Sequence, residues 1–368
     1  MFRLEPRKEL SRTMFYVTPL IALLLTIVGG AIMFAALGKP PGEALFKIFI
    51  DPLTTFRGIA ELLVKATPLI LIAVGLALGF RANVWNIGAE GQYTMGAIAG
   101  SAVGLAAYPG GGYWLFPLMC AAGILGGAAW AAIPALLRTR FNANEILVSL
   151  MLSYVAVLFL TVMVDGPLRD PEGLNFPESR LFQNAARVPL LIPHTRAHIG
   201  FLVAIAAAVV AQVALARHVL GYQIRVLGAA PAAARFAGFS ESRIIWMCLL
   251  ISGGVAGLSG LFEAAGPVGQ LVPQIPNNYG FTAIIVAFLG RLHPLGIIAS
   301  GLLMALTYNG GDAAQVAFGL PSAVKGVFQG MLLFFLLAVD VLVTYRVKGT
   351  RSSSSARRFP QASDIRAS

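Results

Sequence analysis

The sequence predicts an all-α, polytopic membrane protein of about ten transmembrane helices with both termini cytoplasmic. Three observations carry this expectation. Hydrophobic residues fill 57% of the 368 positions and charged residues only 12%, whereas a soluble domain carries about 25% charged residues. Mean hydropathy is +0.78. Several apolar runs are long enough to cross a hydrocarbon core of about 30 Å as helices.

The apolar runs place ten spans at roughly 16–37, 59–80, 83–107, 113–137, 144–164, 198–217, 243–262, 279–290, 295–311 and 321–345. A basic arm, residues 1–15, precedes the first span and carries Arg3, Arg7, Lys8 and Arg12. That span is too long for a secretory signal core, and the following Gly38-Lys39-Pro40-Pro41 is a poor cleavage site, so it reads as an uncleaved helix. The eighth span is short and is expected to pack inside the bundle. The stretch before it, 263–280, is rich in Gly, Pro, Gln and Asn. Irregular backbone at membrane depth survives only where protein or a water-filled cavity covers it. The membrane domain thus occupies 16–345, and 346–368 reads as a disordered basic tail near anionic lipid.

Ten crossings put both ends on one side, and the basic residues indicate which. With the N-terminus inside, 18 of the 27 Lys and Arg residues lie on the cytoplasmic side and nine outside. This bias follows the positive-inside rule. The net charge of +11 is therefore a matter of membrane orientation, and nucleic acid is not implicated. Cys120 and Cys248 lie in apolar segments without disulfide or metal-ligand spacing. The four histidines are scattered, so neither a metal nor a cofactor is expected. A membrane-embedded enzyme would require a nucleophile–base pair or a metal cluster, and the sequence offers none. The glycine runs Gly123 to Gly127 and Gly253 to Gly260 suit close helix packing.

Two regions stand out as functional candidates. On the inner side, 218–242 joins spans six and seven. Pro231 can open a helix at its first turn, Ala232 to Ala237 continue it with strong helix formers, and Gly238 stops it. A short helix between glycines at the cytoplasmic mouth suits docking of a soluble partner, with an ordinary interhelical loop as the alternative.

The second region is polar and lies in or near the membrane. Asn86, Glu90 and Gln92 open span three, where an intramembrane acid implies function or pairing. Glu90 either holds a broken helix by accepting backbone or Arg81 hydrogen bonds, or lines a solute path with Asn86 and Gln92. The inner-half position favours the structural role. Glu145 reads as an acid in the first turn of span five. Glu263, Gln270, Gln274, Asn277, Asn278 and Tyr279 are candidates for lining a cavity, with helix-end capping as the alternative. Phe80, Trp85, Trp130, Phe141, Trp246 and Tyr345 read as an interfacial aromatic belt.

The string Gly221-Tyr222-Gln223-Ile224-Arg225-Val226-Leu227-Gly228, followed by Pro231 to Ala234 and Ala237-Gly238-Phe239, resembles the coupling-helix loop of ABC-importer permeases of the branched-chain amino acid/simple-sugar superfamily. Further matches are Asn86-Ile87-Gly88-Ala89-Glu90-Gly91-Gln92, Asn144 to Leu147, Ser252 to Gly257, and Tyr279 to Arg291 with Pro294-Leu295-Gly296. They span about 60 to 345. The Asn86 to Gln92 string is most similar to the larger permease subunit of bacterial nucleoside importers. The resemblance implies a multi-pass permease of a bacterial cytoplasmic (inner) membrane. It implies partnership with a second permease, favouring a hetero-dimer, with two cytoplasmic ATPase subunits and with an extracytoplasmic binding protein. It assigns Arg225, Gly228, Pro231, Ala234 and Gly238 to ATPase coupling, and nucleosides or related purines as cargo. The chain itself has no Gly-x-x-x-x-Gly-Lys-Ser/Thr phosphate loop, so ATP hydrolysis is expected in a separate subunit. Spans 2–5 and 7–10 are candidate inverted repeats. The alternatives are the same transporter class for a simple sugar or a vitamin, or a proton- or sodium-coupled transporter using Glu90, Glu263, Asp312 or Asp340.

Overall fold

The computed structural model describes residues 2–6, 12–173, 175–321 and 323–349. A first long helix, α1 (Arg12–Ala36), is followed by the short α2 (Pro41–Phe49) and α3 (Asp51–Thr54). Four long helices come next: α4 (Phe56–Arg81), α5 (Ala89–Ala106), α6 (Leu115–Phe141) and α7 (Glu145–Asp165). The second part contains α8 (Gly200–Arg217), α9 (Val219–Ala229), α10 (Pro231–Phe236) and α11 (Glu241–Glu263). It closes with α12 (Tyr279–Leu289), α13 (Pro294–Phe318) and α14 (Ala323–Thr344). Two strands, β1 (Phe2–Pro6) and β2 (Tyr345–Gly349), pair antiparallel. This pairing brings the start of α1 and the end of α14 to one end of the bundle. It also corrects the expectation for the tail, whose first residues, 346–349, are strand; the rest of that tail, from 350 onward, lies outside the described residues.

Seven helical segments among the described residues are long and apolar enough to cross a membrane: 17–36, 56–81, 115–141, 145–165, 200–217, 241–268 and 323–341. The expected spans around α5, α12 and α13 fall outside that set. Of these, α12 is only 11 residues long, while α5 and α13 are diluted by glycine and polar side chains. As the sequence suggested, α12 is short and packs inside, with Tyr279, Ala283, Val286 and Ala287 fully buried.

The centre of the bundle is α4 and α11. In α4 nearly every residue from Ala66 to Ala77 is buried. Such a helix shows little amphipathic pattern because neighbours cover all of its faces. Around it, α5, α6 and α11 approach so closely that a Cβ on Gly96, Gly127 or Gly257 would meet a neighbouring helix backbone. This matches the small-residue packing read from the glycine runs.

Local signals account for several helix starts. Asn144 Oδ1 accepts from the Ile146 amide at 2.9 Å and Ser240 Oγ from the Arg243 amide at 3.3 Å, capping α7 and α11. Glu145 in the first turn of α7 pairs with Arg138 at the end of α6. One expectation changes. The span expected from 83 begins as helix only at Ala89, so 82–88 is irregular. Phe80 and Trp85, two of the expected belt residues, stack with Phe288, the three ring centroids lying 5.1–6.0 Å apart.

Candidate functional site

Two irregular segments, 82–88 before α5 and 269–278 before α12, converge at the Glu90 carboxylate. Helix register gives their depth. The Gly91 amide donates to Ser153 Oγ at 3.3 Å, and Ser153 lies about 12 Å along α7 from its first residue at 1.5 Å per residue. Asn86 Nδ2 donates to Ser252 Oγ at 3.0 Å, about 16 Å along α11. The junction therefore sits near mid-bundle.

Backbone polar groups at such depth need partners, and the neighbouring helices supply them. Ser149 Oγ accepts from the Ile87 amide at 3.2 Å. Asn86 and Gln92 exchange side-chain hydrogen bonds at 2.8 and 3.1 Å, and Asn86 Oδ1 accepts from the Gly88 amide at 3.1 Å. All three of Asn86, Glu90 and Gln92 are buried. The extended segment 269–278 is tied down along its length. Gly269 and Leu271 carbonyls accept from the Phe182 and Ser179 amides at 2.9 Å each. Tyr93 Oη donates to the Ile275 carbonyl at 3.4 Å, and Tyr308 Oη to the Asn277 carbonyl at 3.3 Å.

Glu90 closes the junction. Its Oε1 accepts from the Asn278 amide at 2.9 Å and its Oε2 from the Gly280 amide at 2.5 Å. The carboxylate thereby caps the N-terminus of α12, where unpaired amides and the helix dipole favour a negative charge. Asn278, in the left-handed region at φ 60°, turns the chain into the helix without a side-chain cap of its own. A Cβ on Gly280 would collide with the Glu90 amide nitrogen, so only glycine allows this approach. Of the two partners proposed for Glu90, the backbone amides are the ones used; Arg81 donates from Nε to the Leu292 carbonyl at 2.8 Å instead.

The other polar candidates separate into groups. Asn277 and Asn278 lie at the junction and are exposed, as is Gln274, whereas Gln270 donates to Glu178 at 2.9 Å. Glu263 is buried at the far end of α11, where the charges of Lys65 and Arg196 act on it. Lys65 donates from Nζ to Tyr279 Oη at 2.8 Å. The sequence reading assigned no role to Lys65, Thr282 or Tyr308, whose hydroxyl lies 2.9 Å from Thr282 Oγ1. Their only sequence signal is a polar group within an apolar run. A cavity of about 330 Å3 opens at the junction, lined by Glu90, Ser153, Tyr154, Pro276, Asn278 and Phe281. That is near the lower end of the range for small-molecule sites, about 300–1,000 Å3.

At the other end of the molecule, α10 forms as expected from Pro231, and Gly238 ends it at φ 78°. The preceding 219–229, expected as loop, is instead helix α9. Gly228 lies against the Arg81 carbonyl with no room for a Cβ, and Arg225 donates to the Leu215 carbonyl. Ala234 is buried, with Ile224 and Leu227 in the same cluster. Phe236, by contrast, is 95% exposed, and the sequence reading did not single it out.

A family model described as branched-chain amino acid transport system/permease component matches residues 58–337. The chain is 36% identical over 356 residues to the glucose ABC transporter permease protein of Haloferax volcanii, covering 94% of this chain and 93% of that relative. It is 28% identical over 323 residues to the guanosine ABC transporter permease protein of Bacillus subtilis, covering 86% and 92%. It is 26% identical over 359 residues to the nucleoside ABC transporter permease protein of Lactococcus lactis subsp. cremoris, covering 95% and 98%. No solved structure matches the chain. With a multi-pass helical bundle already established by its apolar helices, the chain belongs to the family of branched-chain amino acid transport system permease components.

Proposed function

We propose that this chain is the transmembrane permease subunit of an ATP-driven importer of a cytoplasmic membrane, translocating nucleosides or related purines delivered by an extracytoplasmic binding protein. The observation that carries the reading is α10. A six-residue helix has almost no stability of its own, yet it is fixed by buried Ala234 while presenting Phe236 outward. A rigidly seated helix with an exposed aromatic tip suits a groove on a soluble partner, here an ATPase subunit. Arg225, Gly228, Pro231, Ala234 and Gly238 seat or shape it, and Phe236 makes the contact. Two ATPases then act on this chain and a second permease, a hetero-dimer partner. The 330 Å3 cavity opens along α7, where Tyr154 and Leu158 are exposed. A second permease placed there completes the path.

Ion coupling fits less well. Glu90 holds two backbone amides and has no freedom to cycle a proton without releasing α12. Asp312 pairs with Lys325, and Asp340 with Arg291.

A simple sugar is the second reading for the cargo, favoured by the 36% identity to a glucose permease. The Asn86 to Gln92 string, which suggested nucleosides, is occupied with hydrogen bonds inside the protein and so speaks for architecture more than for cargo. The deciding experiment is uptake by the complex assembled with its neighbouring gene products. Labelled guanosine accumulating with ATP, and resisting excess glucose, supports the nucleoside reading. Accumulation of glucose alone replaces it with the sugar.

A further inference from the structure

A second cavity, of about 440 Å3, lies at the α10 end of the bundle. It sits between α1, the end of α4 and the α12–α13 turn. One side is apolar, with Leu20, Leu23, Leu289 and Leu303; the other carries Arg81, Arg291 and His293. Leu20 and Leu24 on the outer face of α1 are 66% and 61% exposed, so the mouth opens where lipid tails meet the protein.

The cationic side is not neutral. Arg291 is paired with Asp340. Arg81, however, spends only its Nε on the Leu292 carbonyl. Among the described residues no carboxylate pairs with it, and its terminal amino groups have no partner. Arg225, of the same sign, lies close enough to act on it. A half-buried guanidinium left in this condition favours an anion. Desolvation, and then the charge of Arg81, hold the His293 imidazole below its ordinary value.

We propose that this cavity binds an anionic phospholipid of the cytoplasmic leaflet, its phosphodiester held by the free amino groups of Arg81 and its acyl chain laid along Leu20, Leu23 and Leu303. A basic pocket between transmembrane helices on the cytoplasmic side has the charge and depth for such a headgroup. A free anion would leave the apolar wall unused, and a neutral lipid would leave Arg81 uncompensated. The Arg81 carbonyl also meets Gly228, so the bound headgroup lies one residue's length from the seat of α9. The proposal does not depend on the identity of the cargo.

The test is lipid retention by the full chain, purified in mild detergent and equilibrated with equal amounts of phosphatidylglycerol and phosphatidylcholine. Bound lipid is read by native mass spectrometry. The expected result is a preference of about fivefold for phosphatidylglycerol, the ~1 kcal/mol that one basic residue contributes toward an anionic surface. Arg81→Gln abolishes the preference and Arg81→Lys keeps most of it. Ala299→Phe, which fills the cavity while leaving Arg81 in place, lowers retention of the anionic lipid and decides the matter if Arg81→Gln does not fold. Equal retention of the two lipids by the wild type overturns the proposal. So does undiminished phosphatidylglycerol on Ala299→Phe, or its displacement by inorganic phosphate, which would mark a free-anion site.

Discussion

Replacing Glu90 by Ala leaves the amides of Asn278 and Gly280 without their acceptor at mid-bundle. An unpaired buried polar group costs about 1–3 kcal/mol, so Glu90→Ala lowers the melting temperature of the purified chain clearly. Glu90→Gln keeps a carbonyl acceptor but loses the charge, and melts between the two. A Glu90→Ala protein that melts with the wild type would remove the clasp from the account. Gly280→Ala tests the same joint from the other side, since its Cβ would meet the Glu90 amide. Overpacking of this kind costs about 1–3 kcal/mol, read as a further loss in melting temperature. Glu90 was legible in the sequence because an acid within an apolar run is costly. Its partner was not, because the amide it accepts from lies 188 residues away and main-chain donors carry no residue signature. Lys65 was missed for a related reason: its Tyr279 contact is 214 residues distant.

At the scale of elements, α10 was legible because its start and stop are local, a proline at the first turn and a glycine at positive φ. The helix α9 was not. Its sequence holds two glycines, and what fixes it is long-range, Gly228 on the Arg81 carbonyl and Ile224 and Leu227 in a buried cluster. Burying each of those side chains contributes about 1.5–3 kcal/mol, enough to override weak propensity. The start of α5 was misplaced likewise, since 82–88 is apolar enough to read as helix while serines of α7 and α11 take up its polar groups. Phe236 separates seating from docking. Because it is exposed, Phe236→Asp should leave the melting temperature unchanged and release co-purifying ATPase. An ATPase retained by Phe236→Asp would move the docking surface elsewhere.

For the whole molecule, the pairing of β1 with β2 and the course of the helices place α10, the α12–α13 turn and both described chain ends at one end of the bundle. On the orientation proposed from the excess of Lys and Arg, that end is cytoplasmic. Cysteines introduced at Thr195 and Ser240, in a chain with Cys120 and Cys248 replaced, should react with an impermeant reagent from opposite sides of the membrane, Thr195→Cys from outside. Labelling of Ser240→Cys from outside would invert the topology. Both halves have one central helix, α4 or α11, followed by an irregular re-entry and a helix, α5 or α12.

The central claim is that solute crosses this bundle only when ATPases push through α10. Its most direct test is uptake by proteoliposomes carrying the complex of this chain, its second permease and the ATPases, with binding protein and labelled guanosine, and a parallel glucose arm. The account predicts accumulation that requires ATP, persists with a proton uncoupler and vanishes in Phe236→Asp. Uptake by the chain alone, driven by an ion gradient and unaffected by that substitution, would contradict it.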